Sequence, residues 1–304
     1  MKKVLKLVLV ILAICMLLAC CGGTEEGEKP VSTQPNQTEK VEEPAQTEAS
    51  VPEEIKAPEV TIEEAVIYDD DKVTITVKGM EAGWSGLDVK LLVENKTDRN
   101  IALSGDNVVV NGVTMSSWLY IDVAAGKKAN GTLTLYSDSL ETAGIDQLAW
   151  LESCDAHIYD TDSYDTLADV QFEIVTSLGK DYVQVLDEAG ELLYEAAGIQ
   201  VIAKVMTDEF YGKTLLLYVK NAGEKHVYVQ AENISVNGFT MDAWMYDLVC
   251  AGTVRFCDLD LWESGLEENE IETIEDVTFT ISIIDPNSYA TLAKSGELQV
   301  FVGQ

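Results

Sequence analysis

One nine-residue stretch occurs twice in this chain: Asn107-Val-Val-Val-Asn-Gly-Val-Thr-Met115 returns 126 positions later as Asn233-Ile-Ser-Val-Asn-Gly-Phe-Thr-Met241. In both copies an Asn-Gly pair separates two runs of mostly apolar residues. Both residues of the pair accept the positive φ angles of a type I′ turn, so Asn-Gly between β-rich segments is a strong hairpin signal. The stretch therefore predicts the same hairpin in two copies of one β-rich unit.

The similarity continues in one register on both sides of the hairpin, as expected of an internal duplication. At the constant offset of 126, the matched residues are Tyr68/Tyr194, Lys78/Lys204, Met80/Met206, Gly86/Gly212, Leu91/Leu217, Val93/Val219, Asn95/Asn221, Trp118/Trp244, Tyr120/Tyr246 and Val123/Val249. A one-residue deletion follows, after which Ser163-Tyr164 matches Ser288-Tyr289. We therefore predict two modules, the first repeat (residues 59–177) and the second repeat (residues 181–304), joined by the short segment 177–180.

Both repeats have the patterns of β-strands. Val73-Thr-Ile-Thr-Val77 alternates between apolar and polar residues, and Leu87–Glu94 and Thr214–Lys220 are apolar runs of strand length. No segment keeps an apolar period of 3.6 residues beyond a turn or two. About seven or eight short strands per repeat predict an all-β fold of two tandem immunoglobulin-like β-sandwich modules.

Residues 60–304 resemble the tandem immunoglobulin-like or telokin-like modules of Gram-positive bacterial lipoproteins of unknown function. The resemblance is carried by Leu91-Leu-Val-Glu-Asn95, Val108–Gly112 and Asp122-Val-Ala-Ala-Gly-Lys-Lys128. The second repeat departs from the last of these, with Leu248-Val-Cys-Ala-Gly-Thr-Val254. The Cys…Trp…Cys pattern of antibody domains is missing, so the resemblance implies the sandwich architecture and no catalytic residues.

Residues 1–19 have the three parts of an export signal: the basic residues Lys2, Lys3 and Lys6, a run from Val4 to Leu18 that is apolar except for Lys6, and small Ala19 before Cys20. The ending Leu17-Leu-Ala-Cys20 resembles the lipobox of bacterial lipoproteins, which implies cleavage before Cys20 and a diacylglyceryl group on its thiol. An ordinary secretory signal and a transmembrane anchor are the alternatives, but the apolar run is short for the about 20 residues of a span. We expect a protein anchored by lipid to the extracytoplasmic face of the cell membrane.

Residues 20–58 have the composition of a disordered stalk. The segment holds nearly all the prolines of the chain, is rich in Glu and Thr, and contains no aromatic residue. Such a sequence cannot bury enough apolar surface to offset the entropy lost on ordering.

The charge of the chain limits its partners. Asp and Glu number 53 against 20 Lys and Arg, so the net charge is −33. Electrostatic repulsion excludes a nucleic-acid partner. The expected partners are the lipid bilayer, through acylated Cys20, and a protein or glycan of the cell envelope.

The sequence contains no arrangement of residues that indicates catalysis. The only histidines, His157 and His226, lie at unrelated points of the two repeats and accompany no catalytic motif. The acidic runs Asp69–Asp71 and Asp160–Asp165 offer oxygen ligands for calcium, but such runs arise easily as solvated loops in so acidic a chain. We therefore predict no enzyme activity, no cofactor and no metal site.

Cys250 and Cys257 flank the Ala251-Gly252 turn. They could form a disulfide across a hairpin, which an exported protein permits. Two buried free thiols are the alternative, because a short spacing does not by itself bring the Cα atoms close enough. Cys154 lies in a predicted strand and is expected to pack.

Trp118 and Tyr120, like Trp244 and Tyr246, follow the Asn-Gly hairpin and would share one face of an extended strand. They form either a ligand-binding face, suited to stacking on sugars or to a protein, or the largest part of each sandwich core. We favour the core, because large aromatic side chains are usually buried.

These features favour a non-enzymatic binding or interaction protein at the cell envelope. A carbohydrate-binding lipoprotein that uses the repeated Trp/Tyr face is the first alternative. A structural spacer without a dedicated ligand is the second.

Overall fold

The computed structural model describes residues 60–302. The predicted signal peptide, Cys20 and the predicted stalk lie outside the described residues, so these interpretations stay predictions. Strands account for 58% and helices for 5% of the structure, which confirms the all-β fold class. In the part of the chain that is described, no helix is long and apolar enough to cross a bilayer.

The first repeat contains ten strands and one short helix. They are β1 (Ala65–Asp69), β2 (Val73–Ala82), β3 (Gly86–Asn95), β4 (Ile101–Val110), β5 (Val113–Val123), β6 (Lys128–Tyr136), α1 (Ser137–Thr142), β7 (Trp150–Ser153), β8 (His157–Asp160), β9 (Thr166–Asp169) and β10 (Glu173–Val175).

The second repeat follows the same order with more interruptions. Its elements are β11 (Glu191–Ala196), β12 (Ile199–Glu209), β13 (Gly212–Asn221), β14 (Val227–Val236), β15 (Phe239–Thr240), β16 (Ala243–Trp244), β17 (Tyr246–Val249), β18 (Val254–Trp262), α2 (Glu263–Glu268), β19 (Asp276–Ile284), β20 (Thr291–Lys294) and β21 (Leu298–Phe301).

The first repeat encloses its core between two sets of paired strands. One set runs β1-β2-β3-β6-β5, and the other is built around β4, which pairs with β5, β7 and β8. Alternation along β2 buries Val73, Ile75 and Val77 and leaves the intervening threonines at the surface of the layer. Because β5 pairs with both β4 and β6, it connects the two sets at one edge.

The second repeat has the corresponding two layers and a core of its own. Strands β11, β12, β13 and β18 pair in one sheet, and β14 pairs with β15, β17 and β19 in the other. The hydrophobic cluster between them is drawn entirely from residues of the second repeat and includes Leu217, Val229 and Phe279, all fully buried.

Both Asn-Gly hairpins have the predicted conformation. Asn111 has φ 49° and Gly112 φ 90°, and Asn237 has φ 50° and Gly238 φ 83°. The flanking residues pair across the turn, Val110 with Val113 in the first repeat and Val236 with Phe239 in the second.

The repeats meet along a junction next to the first hairpin. Val254 N donates to the carbonyl of Gly112 at 3.2 Å, in the one parallel pairing that joins β18 to β5. The buried hydroxyls of Thr114 and Thr253 are hydrogen-bonded at 2.6 Å. A small apolar cluster, here called the junction cluster, lies beside them and consists of Val109, Trp150 and Cys154 from the first repeat and Tyr228, Leu248 and Cys250 from the second.

The connection between the repeats is longer than the predicted segment 177–180. Strand β10 ends at Val175 and β11 begins at Glu191. The intervening chain makes specific contacts with both repeats. Gln184 Nε2 donates to the Gly144 carbonyl at 2.9 Å, and Glu188 accepts from Tyr218 Oη at 3.2 Å.

Of the two possibilities for Cys250 and Cys257, the structure shows the pair of buried free thiols and not the disulfide. The turn at Ala251-Gly252 leads from β17, which pairs with β14, to β18, which pairs with β13 in the other sheet. The chain therefore turns a corner between layers where the sequence suggested a hairpin, and Cys257 is left in the core while Cys250 faces the junction.

Candidate functional site

The repeated Trp/Tyr pairs lie at the surface, so the preference for a core role is wrong for three of the four residues. Trp118 is 55% exposed, Tyr120 42% and Trp244 60%, whereas Tyr246 is partly buried. As expected, each pair shares one face: the ring centroids of Trp118 and Tyr120 are 6.5 Å apart, and those of Trp244 and Tyr246 are 6.1 Å apart.

The first repeat presents its pair on an open face. Tyr120 Oη donates to Asp122 Oδ1 at 3.1 Å, and hydrogen bonds with Tyr159 and with Asp122 raise the pKa of Tyr120 to about 12. Tyr159 stacks on Tyr164 with ring centroids 6.2 Å apart. The exposed aromatic row therefore runs from β5 across to β8 and the loop after it.

The row extends beyond the residues selected from the sequence. Tyr159 was missed because Ile284 stands at the corresponding point of β19, so the repeat contains no signal for it. Tyr164 could have been found from the sequence, because it matches Tyr289 of the second repeat. In the structure both tyrosines are strongly exposed, with positive φ angles of 63° and 56°.

The second repeat presents its pair in a groove of about 520 Å³. One wall is α1 and the start of β5 from the first repeat, and the other is formed by β12, β13 and β18 of the second. Trp244, Tyr211 and Trp262 are exposed aromatic residues along it, with Tyr211 and Trp262 packed edge to face. The groove is thus shaped by both repeats.

Carboxylates dominate the polar lining of the groove. The basic residues of the lining are Lys213 and Arg255. The acidic ones are Asp138, Glu209, Asp247, Asp258 and Asp260. Partial loss of hydration is the main cause that raises the pKa of Asp258 to about 6, and repulsion from the charges of Asp260 and Asp247 adds to it. The side chain of Asp258 still reaches solvent. Burial also raises the pKa of Asp247. The groove therefore has a negative potential that disfavours further anions.

Arg255 fixes the floor of the groove to the first repeat. Arg255 is 6% exposed, and its guanidinium forms an ion pair with Asp247 at 2.8 Å. It also donates to Asn107 Oδ1 and Ser116 Oγ of the first repeat, both at 2.7 Å. Its Nε has no hydrogen-bond partner among residues 60–302, which leaves one donor in the lining without a protein acceptor.

The remaining candidates from the sequence do not join this site. Asp160 uses Oδ1 to accept from the backbone N–H groups of Asp162 and Ser163, as a loop-closing carboxylate does. Within residues 60–302, no group of three or more His, Cys, Asp or Glu side chains is arranged to hold a metal ion. His157 lies beside Tyr159 on the open face, and His226 lies at the junction.

Comparison with known proteins adds little. No protein-family model matches the chain, and no curated protein matches it. The chain is similar to a solved structure, a protein of unknown function from Porphyromonas gingivalis W83, with 12% identity over 73% of this chain and 93% of that chain and a TM-score of 0.18. A TM-score this low supports no conclusion about fold or function.

Proposed function

We propose that this chain is a non-enzymatic binding protein of the cell envelope, and that it holds a neutral or positively charged glycan in the groove between its repeats. The observation that carries the proposal is the exposure of Trp244, Tyr211 and Trp262 in a groove lined by carboxylates. Large apolar rings exposed together mark a binding surface more often than a chance feature of a monomer.

The chemistry of the groove suits a sugar. Aromatic rings present flat apolar faces that stack on the C–H face of a pyranose, and Tyr and Trp keep a polar end for water or ligand. Ionised carboxylates only accept hydrogen bonds, so Asp258 and Asp260 match the hydroxyl groups of a glycan. The excess of negative charge selects against uronic acids and phosphorylated glycans and tolerates amino sugars.

The predicted lipid on Cys20 and the predicted stalk would present this groove outside the membrane. Two acyl chains give stable attachment where one does not. Cys20→Ala should therefore release the protein from the membrane fraction or leave an unprocessed precursor, as cell fractionation and mass spectrometry of the N-terminal peptide would show. An uncleaved wild-type chain without lipid would contradict the anchor.

Tryptophan fluorescence titrations test the proposed ligand class. The probes are oligomers of N-acetylglucosamine, their deacetylated cationic forms, and oligogalacturonate as the anionic comparison. We expect the first two to bind and the third to bind at least tenfold more weakly. Trp244→Ala should weaken binding about tenfold or more, the usual loss at a central aromatic contact. Trp84→Ala is the matched control, because Trp84 is fully exposed on the β2–β3 hairpin and outside the groove.

Three results would contradict the proposal. Equal loss of binding in the Trp84 and Trp244 variants would remove the groove as the site. Binding of a lysine-rich peptide, with none of the glycans bound, would indicate a protein partner. Shortened oligomers after long incubation would indicate that Asp258 and Asp260 act as an acid pair and that the chain is a glycosidase.

A further inference from the structure

Two thiols from different repeats meet in the junction cluster. Cys154 directly follows β7 of the first repeat, and Cys250 directly follows β17 of the second. Cys250 is buried, with 2% of its surface exposed, and Cys154 packs against it while remaining partly accessible to solvent. The two thiols interact closely enough that each shifts the pKa of the other.

Backbone hydrogen bonds hold both cysteines in place. Cys250 N donates to Thr114 Oγ1 of the first repeat at 3.1 Å, and the Cys250 carbonyl accepts from Thr253 Oγ1 at 2.8 Å. Cys154 N donates to the Asn107 carbonyl at 3.2 Å. The proximity of the sulfurs therefore follows from the main chain on each side and does not depend on side-chain packing alone.

The surroundings favour ionisation of one sulfur. The interaction between the two sulfurs lowers the pKa of Cys250 and raises the pKa of Cys154, and His226 contributes to the lowering at Cys250 against the opposing effect of burial. His226 Nδ1 accepts from Ala251 N at 2.9 Å, which leaves Nε2 to carry the ring proton of the neutral form. Thiolate is the form of cysteine that reacts in disulfide exchange.

We propose that Cys154 and Cys250 form a disulfide that links the two repeats, made by exchange with a low-molecular-weight or protein disulfide. Exchange passes through a mixed disulfide between the oxidant and one of the two cysteines, which the sulfur of the other cysteine then displaces. Two S–H bonds of the protein and the S–S bond of the oxidant break. One S–S bond forms in the protein, and the oxidant receives two protons and two electrons as two thiols.

Cys257 is the control that the chain itself provides. It is the third described free thiol, it is fully buried, and it lies in the core of the second repeat on β18. Burial raises the pKa of Cys257 well above its ordinary value. It is the nearer cysteine to Cys250 in sequence, so a bridge chosen by sequence proximity alone would use it.

The test oxidises the purified full chain with millimolar oxidised glutathione, alkylates the remaining thiols in denaturant, and maps disulfide-linked peptides by mass spectrometry. We expect a peptide containing Cys154 linked to one containing Cys250, in the wild type and in Cys257→Ser. In Cys154→Ser, Cys250 should be alkylated. The oxidised wild type should melt about 5 °C or more above its reduced form, and Cys154→Ser should show no such difference.

Other peptide maps would overturn the proposal. Linkage of Cys250 to Cys257 would show that the corner between β17 and β18 rearranges. A second contrary result would be that both Cys154 and Cys250 are alkylated after oxidation, or that glutathione stays on Cys154. If the wild-type protein still melts cooperatively in that experiment, the two sulfurs cannot bond in the folded chain. Peptide mapping separates all of these from disulfides of the N-terminal cysteines.

Discussion

Asn111 and Asn237 each carry out two tasks at one position. Their backbones take the positive φ of the turn. Their side chains accept hydrogen bonds from the start of a strand that pairs with the strand before the turn, β7 beside β4 and β19 beside β14. Asn111 Oδ1 accepts from Ala149 N at 2.9 Å and from Trp150 N at 3.2 Å. In the second repeat Asn237 Oδ1 accepts from Glu275 N and Asp276 N at 2.8 and 3.2 Å. The repeated Asn-Gly is therefore structural, because it fixes both the hairpin and the start of its neighbouring strand.

Gly112→Ala should destabilise the chain by about 1–3 kcal/mol, the cost of holding a residue with a side chain in a sparsely populated backbone region. A Cβ at Gly112 would meet no atom within 4 Å, so the cost comes from the φ angle of 90° and not from a clash. Gly296→Ala is the matched control, because Gly296 also has open space but no positive φ. Thermal melts should separate the two, and equal melting temperatures would disprove the backbone argument.

Asp258 should make stability depend on pH. Its pKa of about 6 lies above the about 3.9 of an unfolded aspartate, so the folded state binds the proton more tightly. Ionised Asp258 therefore destabilises the fold above about pH 6, and the cost disappears as pH falls toward about 4. Asp258→Asn should raise the melting temperature at pH 7.5 and leave it unchanged at pH 4. Since solvent reaches this carboxylate, the gain should stay below about 1 kcal/mol.

Asp69→Asn should have the opposite sign and serves as the comparison. Hydrogen bonds from Lys96 and Thr74 lower the pKa of Asp69, so its ionised form stabilises the folded state above the unfolded pKa. That contribution is lost as pH falls through the folded pKa. If Asp258→Asn and Asp69→Asn both shifted the melting temperature in the same direction, the melts would contradict the opposite charge effects assigned to the two carboxylates.

At the scale of elements, the corner between β17 and β18 explains where the repeats differ. In the second repeat this corner carries Leu248, Cys250 and Thr253, which contact the first repeat. The first repeat has Asp122, Ala124 and Lys127 at those places. Within residues 60–302 no further copy packs against the corner of the first repeat, and the charged residues Asp122 and Lys127 stand there in place of Leu248 and Thr253.

Arg255 should be the most sensitive side chain of the junction. Arg255→Met should cost about 3–5 kcal/mol, because it leaves the partly buried Asp247 without its cation. Asp247→Asn in the same chain should recover part of that loss, so the two changes should be strongly non-additive in urea unfolding. Arg99→Met is the control, since Arg99 pairs with Asp160 but is 56% exposed, and it should cost at most about 1 kcal/mol. Additive costs at Arg255 and Asp247 would rule out the pair as the source.

For the whole molecule, two hydrophobic cores and one shared junction determine how the chain unfolds. The second core draws on residues of the second repeat alone, whereas the first also includes Tyr218 and Val254 of the second repeat. The second repeat therefore has what it needs to fold alone, and the first loses part of its core on separation. The groove exists only when both are present, because α1 supplies one of its walls.

A fragment of residues 181–304 should give a β-type circular dichroism spectrum and a cooperative melt. We expect its melting temperature to be lower than that of the full chain, because Leu248, Cys250 and Arg255 lose their partners across the junction. The matching fragment 59–177 should be less stable still. An unfolded second fragment would mean that the repeats fold only as one unit.

The sequence by itself determined the all-β class, the duplication and the two type I′ hairpins, because turn chemistry and period-two alternation act between residues close in the chain. It did not determine which strand faces would be covered. Every strand has two faces, and the alternation that placed Trp118 beside Tyr120 is the same whether that face meets a core or water. Only the packing of one layer on another and of one repeat on the other decided that Trp118 and Trp244 are exposed. The same packing brought Cys250 to Cys154 and not to Cys257, because contacts between distant segments carry no local signature in the chain.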